Sequence, residues 1–131
     1  MADDHPAIRL GFQSLLRRAK DIDVVGEAAN GVEAVELAKR FRPEVLVLDI
    51  EMPLMDGLEV ANVIREEQIP VNVLIVSAYA DRQLIEGALD QGVNGYMTKD
   101  EAPDMIVRAV RAVANNETGW FSEQVEQVLV D

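Results

Sequence analysis

Three aspartates, a serine and a lysine stand where a parallel α/β sheet would present them to a ligand. Asp49 follows the apolar run VLVL, Ser77 follows VLIV, and Lys99 follows GYMT. Asp3 and Asp4 directly precede the first helical stretch, the equivalent place in a βα unit. Open parallel sheets bind ligands beyond the carboxyl ends of their strands, so the five side chains are expected to share one crevice. Clustered carboxylates repel one another and require a cation. An all-oxygen site with room for water favours Mg²⁺ over Zn²⁺, and the lysine adds a further point charge. Such a set suits phosphoryl transfer. The Asp49 carboxylate can attack phosphorus to give an acyl phosphate, while the metal, Lys99 and the Ser77 hydroxyl stabilise charge on the non-bridging oxygens.

The surrounding pattern supplies the elements that must hold these residues. Residues 6–19 place Ile8, Phe12, Leu15 and Leu16 on one helical face, with Pro6 suited to the first turn. VVGEA (24–28) reads as a short strand closed by Asn30-Gly31, and 32–41 as a helix ended by Pro43. VLVLDI (45–50) and NVLIVSA (72–78) are continuous apolar runs, the mark of central parallel strands buried on both faces. Helices are expected over 57–67, 81–91 and 101–114, with GYMT (95–98) a short strand between the last two. Alternating strands and helices predict an α/β fold, a doubly wound parallel sheet with helices on both faces.

Composition narrows the function classes. The 131 residues amount to one domain, and 24 acidic against 12 basic residues give a net charge of −12. That charge repels nucleic-acid phosphates, so direct nucleic-acid binding is not expected. No cysteine is present, which excludes disulfides and thiolate metal sites. No apolar stretch approaches the roughly 20 residues that cross a bilayer, and a cytoplasmic location without membrane association is expected. His5, the only histidine, precedes Pro6 and reads as a helix-entry residue rather than a metal ligand.

The chain resembles the receiver domains of two-component response regulators, most closely the NarL/LuxR-type subgroup, over residues 2–122. The resemblance rests on ADDHPAIRLGFQSLL, DVVGEAANGVEAVELA, RPEVLVLDIEMPLMDGLEV, VLIVSAY and ALDQGVNGYMTKD, in that order and at those spacings. It implies a flavodoxin/CheY-like fold and a signalling switch rather than an enzyme. Asp49 would be the phosphoacceptor, with Asp3, Asp4, Asp49 and the Glu51 backbone carbonyl holding Mg²⁺. Ser77 would be the switch hydroxyl, Lys99 the partner first of Asp49 and then of the phosphate, and Tyr96 the switch aromatic that moves inward with Ser77. The implied phosphodonors are a histidine kinase or a small molecule such as acetyl phosphate. The implied output is dimerisation or control of an effector.

One departure stands out. The family places an apolar strand before its acidic pair, internal in a 2-1-3-4-5 sheet, where this chain has only Met1 and Ala2. Losing an internal strand would leave buried N–H and C=O groups unsatisfied, at roughly 1–3 kcal/mol each. Three readings are open. The given sequence starts late; the segment 125–131 replaces the strand, within one chain or swapped in a homodimer; or residues 119–131 form a linker helix after a receiver domain of residues 1–118. Two other functions are weighed beside the switch: a receiver-like binding scaffold that cannot be phosphorylated, and a haloacid-dehalogenase-like phosphatase. The phosphatase would need a second aspartate where the chain has Glu51.

Overall fold

The computed structural model describes residues 1–116 and 119–130. Two helices come first, and strands and helices alternate after them. The helices are α1 (Pro6–Arg17), α2 (Gly31–Phe41), α3 (Gly57–Glu66), α4 (Arg82–Asp90), α5 (Ala102–Ala114) and α6 (Glu123–Val130). The strands are β1 (Val45–Leu48), β2 (Asn72–Ser77), β3 (Gly95–Thr98) and β4 (Trp120–Phe121). They form one parallel sheet in the order β1-β2-β3-β4, with Leu48 opposite Ile75 and Ser77 opposite Thr98. This is the doubly wound α/β architecture that the sequence pattern predicts.

Local chemistry sets the helix starts. Asn30 accepts a hydrogen bond from the Glu33 N–H at the head of α2, and Asp81 accepts from the Leu84 N–H at the head of α4. Asp56 and Glu59 form a reciprocal capping box at the head of α3. The apolar faces of these helices close two cores, one on each side of the sheet. Val60, Ile64, Ile75 and Ile85 meet on one side, and Phe12, Val76, Ile106 and Val113 on the other.

The place of the expected first strand is taken by Ala2 alone. Ala2 bridges Leu48 on one side and Ala28 on the other, both in parallel sense. Four backbone hydrogen bonds anchor it: Ala2 N–H to Val47 O (2.8 Å), Asp49 N–H to Ala2 O (2.9 Å), Ala28 N–H to Met1 O (2.9 Å) and Asp3 N–H to Ala28 O (3.1 Å). The segment that lies beside VLVLDI is therefore the acidic N-terminus itself.

Two sequence readings are corrected here. VVGEA forms no strand; only Ala28 pairs, because a parallel ladder needs consecutive partners and Ala2 is a single one. The segment from Val125 does not replace the strand within this chain either: it is helical through Val130. Val125, Val128 and Leu129, at helical spacing, pack that helix against the core, and Val125 is fully buried. This matches the linker-helix reading as far as shape goes. The proposed boundary at residue 118, and Asp131, lie outside the described residues. The short strand β4, which the sequence reading leaves in an unassigned tail, adds to the sheet beside β3 through Trp120 N–H to Asn94 O and Ser122 N–H to Tyr96 O.

A cavity of about 430 Å³ opens beside Met1, lined by Val24, Val25, Leu37, Val45 and Val47 among others. The Met1 ammonium borders it and is pushed down to about 6 by burial, with Glu27 acting weakly the other way. An apolar extended segment fused ahead of Met1 would cover these side chains and pair with the edge of β1. Fusing five apolar β-branched residues there is expected to raise the melting temperature by about 5 °C or more. An unchanged melt would show that the cavity does not accept a strand.

Candidate functional site

Ala2 carries the acidic pair to the carboxyl end of β1. Its carbonyl receives the Asp49 N–H, which sets Asp3 and Asp49 side by side, and the Arg9 guanidinium donates to the Asp3 carbonyl at 2.6 Å. Arg9 is a supporting residue that the sequence reading missed; its position two turns of chain after Asp3 carries no motif. Asp3 and Asp49 are both buried, 1 % and 3 % exposed. Lys99, delivered by the end of β3, lies with its Nζ 2.9 Å from Asp49 Oδ2 and 2.9 Å from Asp3 Oδ2. One ammonium thus bridges two buried carboxylates. The contact to Asp49 is a hydrogen bond, whereas the contact to Asp3 is a charge contact with poor hydrogen-bond alignment.

The electrostatics follow from this packing. Burial pushes the Asp49 carboxyl above the ordinary aspartate value; the Lys99 ammonium pulls it back, and the nearby Asp3 charge adds to the rise. Burial works against the Lys99 ammonium, but Asp3 and Asp49 together outweigh it and hold the lysine above its usual range. Asp3 Oδ2 and Asp4 Oδ1 are shielded from solvent and accept no hydrogen bond. Asp3 Oδ2 already faces the Lys99 ammonium, whereas the shielded Asp4 Oδ1 has no donor and would be satisfied by a cation, which fits the expected metal. One ligand atom from each of Asp3, Asp4, His5 and Asp49 can be drawn from within 4.8 Å of the others. Glu51 lines the adjoining open cleft of about 570 Å³ together with Asp4, His5 and Ile50.

The remaining expected residues fall around this cluster. Ser77 ends β2, fully buried, with its Oγ accepting from the Tyr79 N–H at 3.1 Å and its carbonyl accepting from the Lys99 N–H at 2.8 Å. Tyr96 is fully buried in β3 and donates to the Tyr79 carbonyl at 2.6 Å, so its ring already lies inward. Burial pushes its phenol up to about 12. The Lys99–Asp100 peptide bond is trans. Asp100 receives the Thr98 hydroxyl and the Gln124 amide, which ties the start of α6 to the loop that carries Lys99. His5 stands at the expected helix-entry position. It is the N-cap of α1, but its side chain makes no capping hydrogen bond and sits 3.0 Å from Asp4 Oδ1 instead.

A family model for the response regulator receiver domain matches residues 1–111. The chain is a response regulator receiver domain. It is 37 % identical over 129 residues to the nitrate/nitrite response regulator NarL of Escherichia coli, covering 98 % of this chain and 59 % of that protein. The receiver chain thus spans under two thirds of the length of the curated relative it matches. Among solved structures it is similar to the signal receiver domain of NarL from Mycobacterium tuberculosis, with a TM-score of 0.84 and 40 % identity over 87 % of this chain and 92 % of that one. It is also similar to a LuxR-family response regulator from Aurantimonas sp. SI85-9A1, with a TM-score of 0.92 and 29 % identity over 98 % of this chain and 91 % of that one. The receiver is of the NarL type and belongs to the two-component phosphoacceptor switches.

The receiver's site loop closes tightly at Gly57. A Cβ on Gly57 would sit 2.3 Å from the Asp49 carbonyl oxygen and 2.8 Å from the Ile50 Cα, both rigid backbone. The Gly57 N–H also donates to the Ile50 carbonyl at 2.8 Å. Gly57→Ala is therefore expected to destabilise the receiver by about 1–3 kcal/mol through overpacking, read as a lower denaturant midpoint. An unchanged midpoint would contradict the contact.

Proposed function

We propose that this receiver is phosphorylated on Asp49, with Mg²⁺ held by Asp3, Asp4, Asp49 and the Glu51 backbone carbonyl, by a histidine kinase or a small phosphodonor. The single observation that carries the proposal is the Lys99 ammonium bridging Asp49 and Asp3 at 2.9 Å, a partly buried cation already aimed at the reacting carboxylate.

In the transfer, an Asp49 carboxylate oxygen bonds to phosphorus as the donor's P–N or P–O bond breaks, and the bonding pair leaves with the donor. Bound Mg²⁺ would supply neutralising charge to the phosphoryl oxygens. Lys99 moves its ion pair from Asp49 to the new phosphoryl group, and Ser77 offers its hydroxyl to a second oxygen once the Tyr79 N–H releases it. Tyr96, hydrogen-bonded to the Tyr79 carbonyl, couples that same loop to the buried face of β3. The receiver then acts by controlling dimerisation or an effector and turns over no other substrate. The geometry does not favour a phosphatase, since Glu51 stands exposed where that chemistry needs an acid-base aspartate.

The test is incubation with acetyl phosphate and Mg²⁺, followed by intact-mass measurement. One added phosphoryl group is expected, with uptake falling as the pH drops into the raised titration range of Asp49, because the protonated carboxyl is no nucleophile. No mass change at any pH would reject the proposal.

A further inference from the structure

We propose that Arg9 is a positioning residue for phosphoryl transfer: backed by Glu27 and Gln13, it fixes the peptide that joins Asp3 to Asp4 so that both carboxylates face one cation. The inference rests on the metal site proposed above and concerns residues outside it.

A gap in the backbone pairing gives Arg9 its task. The Asp3 N–H is taken by the Ala28 carbonyl at 3.1 Å, but the Asp3 carbonyl receives no backbone N–H among the described residues. The facing chain is by then entering α2, with Asn30 as its N-cap. That carbonyl belongs to the planar Asp3–Asp4 peptide, whose orientation sets where the two carboxylates point relative to each other. Arg9 fills the gap, donating from Nη1 to the Asp3 carbonyl at 2.6 Å.

Arg9 is itself held. Its side chain is 14 % exposed, and its Nε lies 3.4 Å from Glu27 Oε1. The other oxygen, Glu27 Oε2, receives the Gln13 amide at 2.9 Å. Gln13 is buried and stands one turn after Arg9 on α1. Glu27 immediately precedes Ala28, the residue that pairs with Ala2. The three side chains therefore tie α1 and the chain at Ala28 to the peptide between Asp3 and Asp4. A planar guanidinium can grip a carbonyl and a carboxylate at once, which an ammonium on a flexible stem does less well.

The sign of the effect separates positioning from charge. Arg9 is a cation beside a cation site, so through charge alone its loss would strengthen Mg²⁺ binding. A clamp does the reverse. Without it the carboxylates are no longer preset, and the ion must order them as it binds.

The experiment titrates Mg²⁺ calorimetrically into the 131-residue receiver as wild type, Arg9→Ala, Arg9→Lys and Arg111→Gln, and records amide ¹⁵N relaxation without metal. Arg9→Ala is expected to lose at least about tenfold in Mg²⁺ affinity. Its rate of uptake from acetyl phosphate should return to within about twofold of wild type at saturating Mg²⁺, since the clamp acts on ion binding. Without metal, the Asp4 amide order parameter should fall in that variant from about 0.85 to below about 0.6. Arg9→Lys keeps the charge and the stem and is expected to share most of the affinity loss; it decides alone if Arg9→Ala does not fold. Arg111→Gln removes an exposed cation paired with Asp21 in the last turn of α5 and should not weaken binding. Mg²⁺ affinity in Arg9→Ala equal to or tighter than wild type would overturn the inference and leave the metal site standing. Wild-type affinity in Arg9→Lys would also overturn it, because charge and stem would then suffice. If wild type binds no Mg²⁺, the metal site itself falls and the inference falls with it.

Discussion

Asp49→Asn is expected to abolish phosphoryl uptake from acetyl phosphate while the receiver remains folded. The amide is isosteric with the carboxylate but offers no anionic oxygen to attack phosphorus, so the loss is complete rather than partial. Its structural cost is small for a specific reason. The Asp49 main chain is held by its N–H to the Ala2 carbonyl, and neither that bond nor the Gly57 contact involves the side chain. The substitution also relieves repulsion with Asp3 at the expense of the Lys99 pairing. A melting temperature near that of wild type, with no mass increase on acetyl phosphate, is the expected pair of results. Residual uptake equal to wild type would place the acceptor elsewhere.

Lys99→Ala has the second large effect, and here stability is the readout. Removing the ammonium leaves Asp3 and Asp49 buried together without the cation between them, a loss expected to cost about 3 kcal/mol near neutral pH. The corresponding fall in melting temperature is about 10 °C for a domain of this size. The pH dependence has a definite sign. Burial already raises the folded-state pKa of Asp49, and Lys99 is the main influence lowering it. Without Lys99 that pKa rises further above its unfolded value. The folded state then binds a proton over a wider window, so stability falls as pH rises from the ordinary aspartate range through the raised value. The deficit of Lys99→Ala should therefore be largest near pH 7 and shrink toward pH 5. Mg²⁺ should restore more stability to the variant than it adds to wild type, since it substitutes for the lost charge. A deficit independent of both pH and Mg²⁺ would mean that the lysine only packs its stem.

Most of this was readable from residue order. The continuous apolar runs VLVL and NVLIVS became β1 and β2, and Asp49, Ser77 and Lys99 sit at the strand ends where the pattern places them. The acidic pair also reached the site, but the reason could not be read from the sequence. Strand ladders are expected to span several residues, and a single alanine has no signature as a strand. Ala2 succeeds because a small side chain fits fully buried between Ala28 and Leu48, while four backbone hydrogen bonds fix its neighbours. The same limit applies to VVGEA, which reads as a strand, and to the 125–131 segment, for which a replacement strand and a linker helix both stay open in the sequence. Both look extended by composition, yet VVGEA lacks a ladder partner and Val125, Val128 and Leu129 serve a helix equally well at their spacing. Pro6 marks His5 as a helix-entry residue, and His5 is the N-cap of α1. Only the three-dimensional placement shows the ring turned toward Asp4 rather than toward the helix.

What connects the site to the rest of the receiver is short-range. Lys99 is followed at once by Asp100 and Glu101, whose carboxylates receive the Gln124 amide and the Gln124 N–H at the head of α6. A change in the Lys99 ion pair thus has a direct mechanical neighbour in α6, whose other end reaches the Arg82 guanidinium of α4 through the Val128 carbonyl.

The central claim is that Asp49 carries the phosphoryl group, and chemical trapping tests it most directly. Wild-type receiver treated with acetyl phosphate and Mg²⁺, then reduced with borohydride, should yield homoserine at position 49 in the peptide containing VLVLDI. Homoserine at another acidic residue, or none anywhere, would contradict the account.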